Sequence, residues 1–186
     1  MIIGLTGAAM CGKSTIARAL AQTSPGRGQV ISFAQPLKAM LTTLLFEAGD
    51  ASAATTVQDK ASRNPTLNGH TVRHALQTLG TEWGREQMRD PGKTESMWTQ
   101  IGMARMNRGL TAADITIFDD VRFEDEANAI RWHAGFVIGL VRGSGLEGSA
   151  GAHASEDGIE PDLWIANDKD PNLVVAESLA TLGKFG

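Results

Sequence analysis

Short apolar runs alternate along this chain with segments in which apolar residues recur at helical spacing. The short runs have the length of buried strands, and they cover residues 1–6, 29–33, 114–120, 135–142 and 163–167. The helical segments cover residues 14–22, 37–48, 72–88, 95–107, 124–133 and 173–182. This alternation predicts an α/β fold of three layers, in which helices flank a central parallel sheet and ligands bind at the carboxyl ends of the strands.

Two stretches depart from this alternation. Residues 51–68 are polar and contain few large apolar groups, so we expect a mobile excursion that covers a site rather than part of the core. Residues 143–161 are rich in glycine and serine and lack periodicity, which predicts a long loop or flap. Gly80 and Gly84 weaken the helix predicted at 72–88, because glycine is a poor helix former.

Composition narrows the class of protein. The chain has 186 residues, 42% of them apolar and 20% charged, with a net charge of −4, which is typical of one soluble globular domain. Lysines and arginines are scattered and outnumbered by acids, so no nucleic-acid partner is expected. No apolar stretch could cross a bilayer, and with Cys11 as the single cysteine we expect a reducing, cytosolic setting without export or anchoring.

A glycine-rich loop follows the first predicted strand. Residues 7–14 read Gly-Ala-Ala-Met-Cys-Gly-Lys-Ser and match the P-loop pattern G-x-x-x-x-G-K-[ST] in its required place between a strand and a helix. The glycines allow backbone N–H groups to face phosphate oxygens, the lysine reaches the β- and γ-phosphates, and the serine offers its hydroxyl to Mg²⁺. The residues predicted to bind a nucleoside triphosphate and its Mg²⁺ here are Gly7, Ala9, Gly12, Lys13, Ser14 and Thr15.

Other interpretations of this loop remain open. It could be a glycine turn in which the Lys-Ser pair is incidental. Cys11 could be a small side chain that a variable position tolerates, or a thiol beside Lys13 that oxidation or alkylation would block.

Acids and arginines further along the chain suit phosphoryl transfer, which needs positioning and positive charge around the moving group. Asp119 and Asp120 end the third predicted strand, and side-chain alternation allows only one of them to face Mg²⁺. Either acid could instead be a polar strand end or a helix cap. The candidate phosphate-binding arginines, each of which could also be a solvated surface residue, are Arg63, Arg73, Arg85 and Arg122.

Four further segments follow the P-loop in this order: Phe33-Ala34-Gln35-Pro36-Leu37-Lys38, Leu79-Gly80-Thr81-Glu82-Trp83-Gly84-Arg85, Asp120-Val121-Arg122-Phe123-Glu124-Asp125-Glu126-Ala127 and His153-Ala154-Ser155-Glu156. Together with the loop they resemble phage-type deoxynucleoside monophosphate kinases, over residues 2 to about 167. Dephospho-coenzyme A kinases and other small P-loop kinases share the loop and the fold with that family, but not the Asp-Val-Arg-Phe or Gly-Thr-Glu-Trp-Gly-Arg segments.

The resemblance implies transfer of the γ-phosphoryl group of ATP to a deoxynucleoside 5′-monophosphate. It assigns Ser14 and Asp120 to the metal site and Lys13 to the ATP phosphates. Arg122 and Arg85 would hold the acceptor or transferring phosphate. The further acceptor-binding candidates are Phe33, Lys38, Arg73, Trp83, His153 and Glu156. Phe33 could stack on the base or pack in the core.

The family's lid corresponds to residues 143–161, which contain no lysine or arginine, so Arg142 at the root of the lid would supply that charge to ATP. His153 could act on substrate or could be a hinge residue bonded to Glu156. The resemblance implies one P-loop kinase domain over residues 1–186, with an acceptor-binding excursion at about 34–107 and a lid-like loop at 143–161. A homodimer, and the host cytoplasm for a phage-encoded chain, are compatible with it.

Two alternatives to this function stay open at the level of the sequence. One is a P-loop kinase with another small acceptor, such as dephospho-coenzyme A. The other is a nucleotide-gated switch, in which ATP or GTP orders residues 51–68 and 143–161 for a protein partner. The preferred base, and deoxy over ribo selection, depend on a few pocket hydrogen bonds that the sequence does not place.

Overall fold

A computed structural model of the chain describes residues 1–24, 27–109, 114–142 and 158–183. The chain divides into two compact units. The sheet unit comprises Met1–Ser32 and Gly102–Gly186, and the helical unit comprises Phe33–Ile101. The helical unit therefore covers most of the range 34–107 that the sequence assigns to acceptor binding.

The sheet unit contains a five-stranded, wholly parallel sheet. Its strands are β1 Ile2–Thr6, β2 Gly28–Ile31, β3 Ile115–Phe118, β4 Phe136–Val141 and β5 Leu163–Ala166. They lie in the order β2-β3-β1-β4-β5, which places β1 at the centre. Both neighbours of β1 are in register with Ile3, which pairs with Ile117 of β3 and Phe136 of β4. All five predicted strands are confirmed.

The helices are α1 Lys13–Gln22, α2 Gln35–Glu47, α3 Ala53–Thr56, α4 Val72–Thr78, α5 Met97–Gly109, α6 Glu124–Trp132 and α7 Pro171–Leu182. Ile3 and Leu5 of β1 share a buried core with α1 and α7. Gly4 points the opposite way, because a Cβ placed on it would lie 2.7 Å from Ile130 Cδ1 of α6. Successive residues of a strand face opposite sides of a sheet, so α1 and α7 cover one face and α6 covers the other. The predicted α/β fold with helices on both faces is confirmed. Within the described ranges, no helix is both long and apolar enough to cross a bilayer.

The helical unit has a core of its own. Leu41 and Leu45 of α2 pack with Val72, and also with Ala53 and Val57, which are 2% and 1% exposed. The sequence predicted that residues 51–68 would cover a site rather than join a core. That expectation is wrong for Ala53 and Val57, because two small apolar side chains suffice to anchor the short helix α3 on α2.

The Asp50 carboxylate organises the polar part of this segment. It accepts hydrogen bonds from the N–H and the hydroxyl of Ser52 and from the hydroxyl of Thr56, at 2.7–2.9 Å. The side-chain nitrogen of Asn64 lies 3.5 Å from Asp50 Oδ2. The side-chain oxygen of Asn64 accepts the N–H of Thr66 at the start of a 3₁₀ turn. The hydrogen bond from the Ser52 side chain, followed by that from Thr56, lowers the pKa of Asp50 below 3.8.

The helix predicted over 72–88 changes its pitch in the middle. It is α-helical to Thr78 and π-helical over Leu79–Gln87, where the N–H of Met88 donates to the carbonyl of Trp83, five residues earlier, at 2.9 Å. The Trp98 indole Nε1 donates to the carbonyl of Gly80 at 2.9 Å. A Cβ placed on Gly84 would overlap the Trp98 ring. The two glycines that weakened the helix prediction thus bring this backbone against the indole.

Candidate functional site

The glycine loop runs from the end of β1 to the start of α1, as predicted. Gly7 and Gly12 have φ angles of 130° and 98°, values that glycine adopts without steric cost. Gly12 caps α1, and its carbonyl accepts the N–H groups of Thr15 and Ile16 at 3.0 and 3.1 Å. The first turn of α1 therefore begins at the loop, where its N–H groups and the positive end of the helix dipole favour an anion.

Met10 was not singled out by the sequence. It lies at the tip of the loop with a φ of 64°, and its side chain is 91% exposed. A left-handed φ is unusual for a non-glycine residue, and the pattern G-x-x-x-x-G-K-[ST] gives no indication of it.

The Lys13 ammonium folds back over the loop. It donates to the carbonyl oxygens of Gly7 and Ala8 at 2.5 and 2.8 Å, and it lies 3.7 Å from the Cys11 sulfur. Cys11 itself is 4% exposed and belongs to the core beside α1. This burial favours the interpretation of Cys11 as a tolerated small side chain.

Two pockets adjoin the loop within the sheet unit. One, of about 280 Å³, is lined by Gly12, Thr15, Arg142, Asn167, Asp168, Lys169 and Pro171. The other, of about 230 Å³, is lined by residues 7–11 of the loop together with Leu140, Val141, Arg142 and Trp164. Arg142, whose side chain is exposed, lines both. Ala9, Ser14 and Thr15 are also exposed at this edge.

Asp119 and Asp120 follow β3 at the carboxyl edge of the sheet. After β3 the chain stays beside β1, because the Val121 N–H donates to the Leu5 carbonyl at 3.1 Å, so the two acids lie next to the end of β1, just before the loop. The Ser32 hydroxyl donates to Asp120 Oδ2 at 2.5 Å, and the Asp119 N–H donates to the Ile31 carbonyl at 3.1 Å. Asp120 is thus held from the end of β2. The ranking of the two acids in metal binding stays a prediction.

Arg122 is exposed in the turn between β3 and α6. Its backbone is held by Glu126, which is 2% exposed and accepts the N–H groups of Arg122 and Phe123 at 2.8 and 3.2 Å. Glu126 had no role in the sequence prediction. Its place three residues after the N-cap Phe123 is the spacing of the acidic half of a capping box, and this signal could have revealed it.

Arg105 is a further residue that the sequence did not single out. It lies on the part of α5 that belongs to the sheet unit, and its guanidinium donates to the carbonyl of Ser32 at 3.2 Å. Ser32 also holds Asp120, so a cation and a carboxylate converge on one residue at the sheet edge. The only sequence signal is an arginine between the buried Met103 and Met106 of one helix.

The helical unit contains the remaining described candidates. Trp83 and Arg85 lie half-buried on the π-helical segment, with the Trp83 ring 5.8 Å from that of Trp98. Phe33 is 2% exposed, which favours core packing over base stacking.

Three more basic candidates lie elsewhere in the helical unit. Lys38 is half-buried on α2, Arg73 is exposed on α4, and Arg63 donates to the Gly69 carbonyl at 2.9 Å. The predicted proximity of the helical-unit candidates to the loop stays a prediction. His153 and Glu156, with most of the predicted lid at 143–161, lie outside the described residues.

Comparisons with known proteins add little to this geometry. No model of a protein family and no curated protein matches the chain. Among solved structures, the chain is similar to one described as a "putative kinase" from Chloroflexus aurantiacus, with 16% identity over 98% of this chain and 96% of that one and a TM-score of 0.45. A similarity of this extent establishes neither a shared fold nor a shared activity.

Proposed function

We propose that the chain is a kinase that transfers the γ-phosphoryl group of Mg²⁺-bound ATP to a deoxynucleoside 5′-monophosphate, yielding the diphosphate. The observation that carries the proposal is the loop of residues 7–14, which connects the central strand to the first turn of α1 and holds the Lys13 ammonium over its carbonyls. A bound phosphate at this place meets a cation, backbone N–H groups and a helix dipole together.

The sheet unit supports the donor side of the proposal. Lys13 exchanges its loop carbonyls for the β- and γ-phosphate oxygens, where it offsets negative charge in the transition state. The pocket of about 280 Å³ begins at Gly12 and Thr15, so it can take the nucleoside of a nucleotide whose phosphates lie in the loop. Arg142, which lines this pocket, adds a guanidinium on the same side.

The residues suited to Mg²⁺ are Ser14 and one acid after β3, for which we propose Asp120. Ser14 offers an exposed hydroxyl in the first turn of α1, and Asp120 offers a carboxylate just after β3, beside the end of β1. Both are oxygen ligands, which Mg²⁺ prefers together with water and substrate phosphates. When bound, Mg²⁺ neutralises charge between the β- and γ-phosphate oxygens. The Ser32 hydroxyl, as a donor to Asp120, keeps that carboxylate oriented.

The acceptor side is supported by the resemblance and by positive charge. Arg122 is displayed from a backbone that the buried Glu126 carboxylate fixes, and Arg85 projects from the π-helical segment of the helical unit. A guanidinium can grip phosphate through two parallel N–H donors. We propose that these two arginines hold the acceptor phosphate and the transferring group.

An acceptor panel tests the proposal. ADP release from Mg²⁺-ATP is followed through a coupled assay with dTMP, dGMP, dCMP and dAMP, with the four ribonucleotides, and with dephospho-coenzyme A. We expect at least one deoxynucleotide to accelerate ADP release far above the rate without acceptor. Acceleration by dephospho-coenzyme A alone would show instead that the chain is a dephospho-coenzyme A kinase. Slow hydrolysis that no acceptor changes would favour a nucleotide-gated switch.

A further inference from the structure

Asn167 connects the end of β5 to the glycine loop. Its side chain is 7% exposed, and its Nδ2 donates to the carbonyl oxygen of Cys11 at 2.7 Å. Its backbone N–H donates to the Val141 carbonyl at 2.6 Å, which extends the pairing of β5 with β4 by one residue. Asn167 is thus bound to the sheet through its backbone N–H and to the loop through Nδ2, and the Cys11 carbonyl is directed to that buried nitrogen.

The Asn167 side chain also packs closely against Gly12 of the loop. A Cβ placed on Gly12 would overlap the Asn167 Nδ2 atom, so the amide fits only against a glycine. Gly12 has a φ of 98° and caps α1. Glycine is therefore needed at position 12 for two reasons: its left-handed φ, and the close approach of the Asn167 amide.

The orientation of one peptide group then follows. The bond between Cys11 and Gly12 is planar and trans, so the N–H of Gly12 points opposite to the Cys11 carbonyl. The carbonyl is directed to Asn167, and the N–H is consequently directed away from it. Without this hydrogen bond, the peptide could rotate and turn its negative carbonyl end toward a bound phosphate.

We propose that Asn167 is a positioning residue, which sets the Cys11–Gly12 peptide so that the loop presents N–H groups rather than a carbonyl to phosphate. The inference rests on the proposed binding of a nucleotide by the loop. Asn167 also lines the pocket that begins at Gly12 and Thr15. The same side chain thus borders both the phosphate loop and the proposed nucleoside pocket.

The test compares Asn167→Ala and Asn167→Asp with wild type and with Asn128→Ala, which removes an exposed amide on α6. Affinity for Mg²⁺-ATP is measured by calorimetry, and thermal unfolding without nucleotide shows whether each variant folds. We expect both Asn167 variants to bind Mg²⁺-ATP about tenfold or more weakly, as the loss of one buried hydrogen bond predicts. The Asn128→Ala variant should bind like wild type.

Asn167→Asp adds a readout that a merely structural role would not change. Its carboxyl has the shape of the amide, and burial beside a carbonyl raises its pKa. The protonated carboxyl has an O–H that can donate to the Cys11 oxygen, whereas the carboxylate cannot. We therefore expect the affinity of this variant, relative to wild type at the same pH, to recover as the pH falls from 8 to 5.5, and that of Asn167→Ala to show no such recovery.

The outcomes are distinguishable. Wild-type affinity in both folded variants would overturn the role of Asn167 while leaving the kinase proposal intact. If Asn167→Ala fails to fold, the pH dependence of Asn167→Asp decides, and a flat ratio to wild type would overturn the inference. Failure of the wild-type protein to bind Mg²⁺-ATP at all would overturn the inference together with the proposed function.

Discussion

The two units of the molecule build their candidate residues in different ways. In the sheet unit the glycine loop lies between a fully buried central strand and a regular helix, and its glycine φ angles and helix start follow from its own sequence, with one long-range contact from Asn167. In the helical unit, Trp83 and Arg85 lie on a π-helical segment whose backbone contacts Trp98, more than ten residues further along the chain. The course of the loop is therefore encoded mainly by local sequence, with Asn167 as the distant contribution, whereas the shape of the π-helical segment depends on tertiary packing.

This difference suggests a division of labour. A phosphate loop serves any nucleoside triphosphate, because its contacts are mainly to phosphate. Selection of an acceptor needs a small number of placed side chains. We therefore expect changes in the loop to abolish turnover with every acceptor, and changes around the π-helical segment to alter acceptor use while ATP binding persists.

The largest effect is expected from Lys13→Ala. This change removes the ammonium proposed to stabilise negative charge on the γ-phosphoryl oxygens in the transition state, so turnover should fall on the order of 10³-fold or more. The loop backbone does not need the side chain to form, so circular dichroism and thermal unfolding should stay close to wild type. Lys93→Ala, which removes an exposed lysine, is the control. Near-normal turnover of Lys13→Ala would refute the assignment of the loop.

A smaller effect is expected from the acids after β3. Asp120→Asn should reduce the Mg²⁺-dependent rate by about 10²-fold, and more than Asp119→Asn does, because Asp120 is the acid proposed for the metal. The measurement is turnover as a function of Mg²⁺ concentration for both variants. The reverse ranking would show that Asp119 is the residue that faces the metal.

A moderate effect is expected at the indole contact of the helical unit. Gly84→Ala places a methyl group into the Trp98 ring and should destabilise the unit by about 1–3 kcal/mol. Because the contact shapes the segment that bears Arg85, the KM for the acceptor should rise several-fold while Mg²⁺-ATP affinity is retained. Gly92→Ala is the matched control, since its new Cβ would meet no atom closer than 3.4 Å. If Gly84→Ala is destabilised but its acceptor KM is unchanged, the packing of this segment does not influence acceptor binding.

The smallest effect concerns Asp50. Its pKa is lowered in the folded protein, first by the Ser52 side chain, so its contribution to stability is complete above the unfolded value of 3.8. That contribution is lost as the pH falls through the lower pKa of the folded state. Denaturant unfolding from pH 7 to pH 3 should show a steeper loss of stability below about pH 4 for wild type than for Asp50→Asn. Equal slopes would show that the carboxylate does not stabilise the unit.

The elements of the sheet unit could be predicted from sequence because their signals are local. Apolar runs marked the strands, and the glycine pattern together with the preceding strand located the loop. In the helical unit, the prediction of a regular helix over 72–88 missed the change of pitch at Leu79, because Trp98, which contacts that segment, lies outside any local window.

The site residues that the sequence analysis missed also make contacts that a local sequence window does not show. The buried carboxylate of Glu126 and the amide of Asn167 act on backbone groups, and Asn167 reaches Cys11 across most of the chain. Arg105 meets Ser32 through two elements that no short motif joins. A sequence shows which residues carry charge, but contacts of this range depend on how strands are ordered in the sheet.

The most direct test of the central claim follows the label from ATP carrying ³²P in its γ-phosphoryl group. Purified protein is incubated with labelled Mg²⁺-ATP and each of the four deoxynucleoside monophosphates, and the products are separated by chromatography. We predict that the label moves into a deoxynucleoside diphosphate with wild type and Lys93→Ala, and that Lys13→Ala forms almost none. Label that appears only in inorganic phosphate, at a rate that no monophosphate changes, would contradict the account.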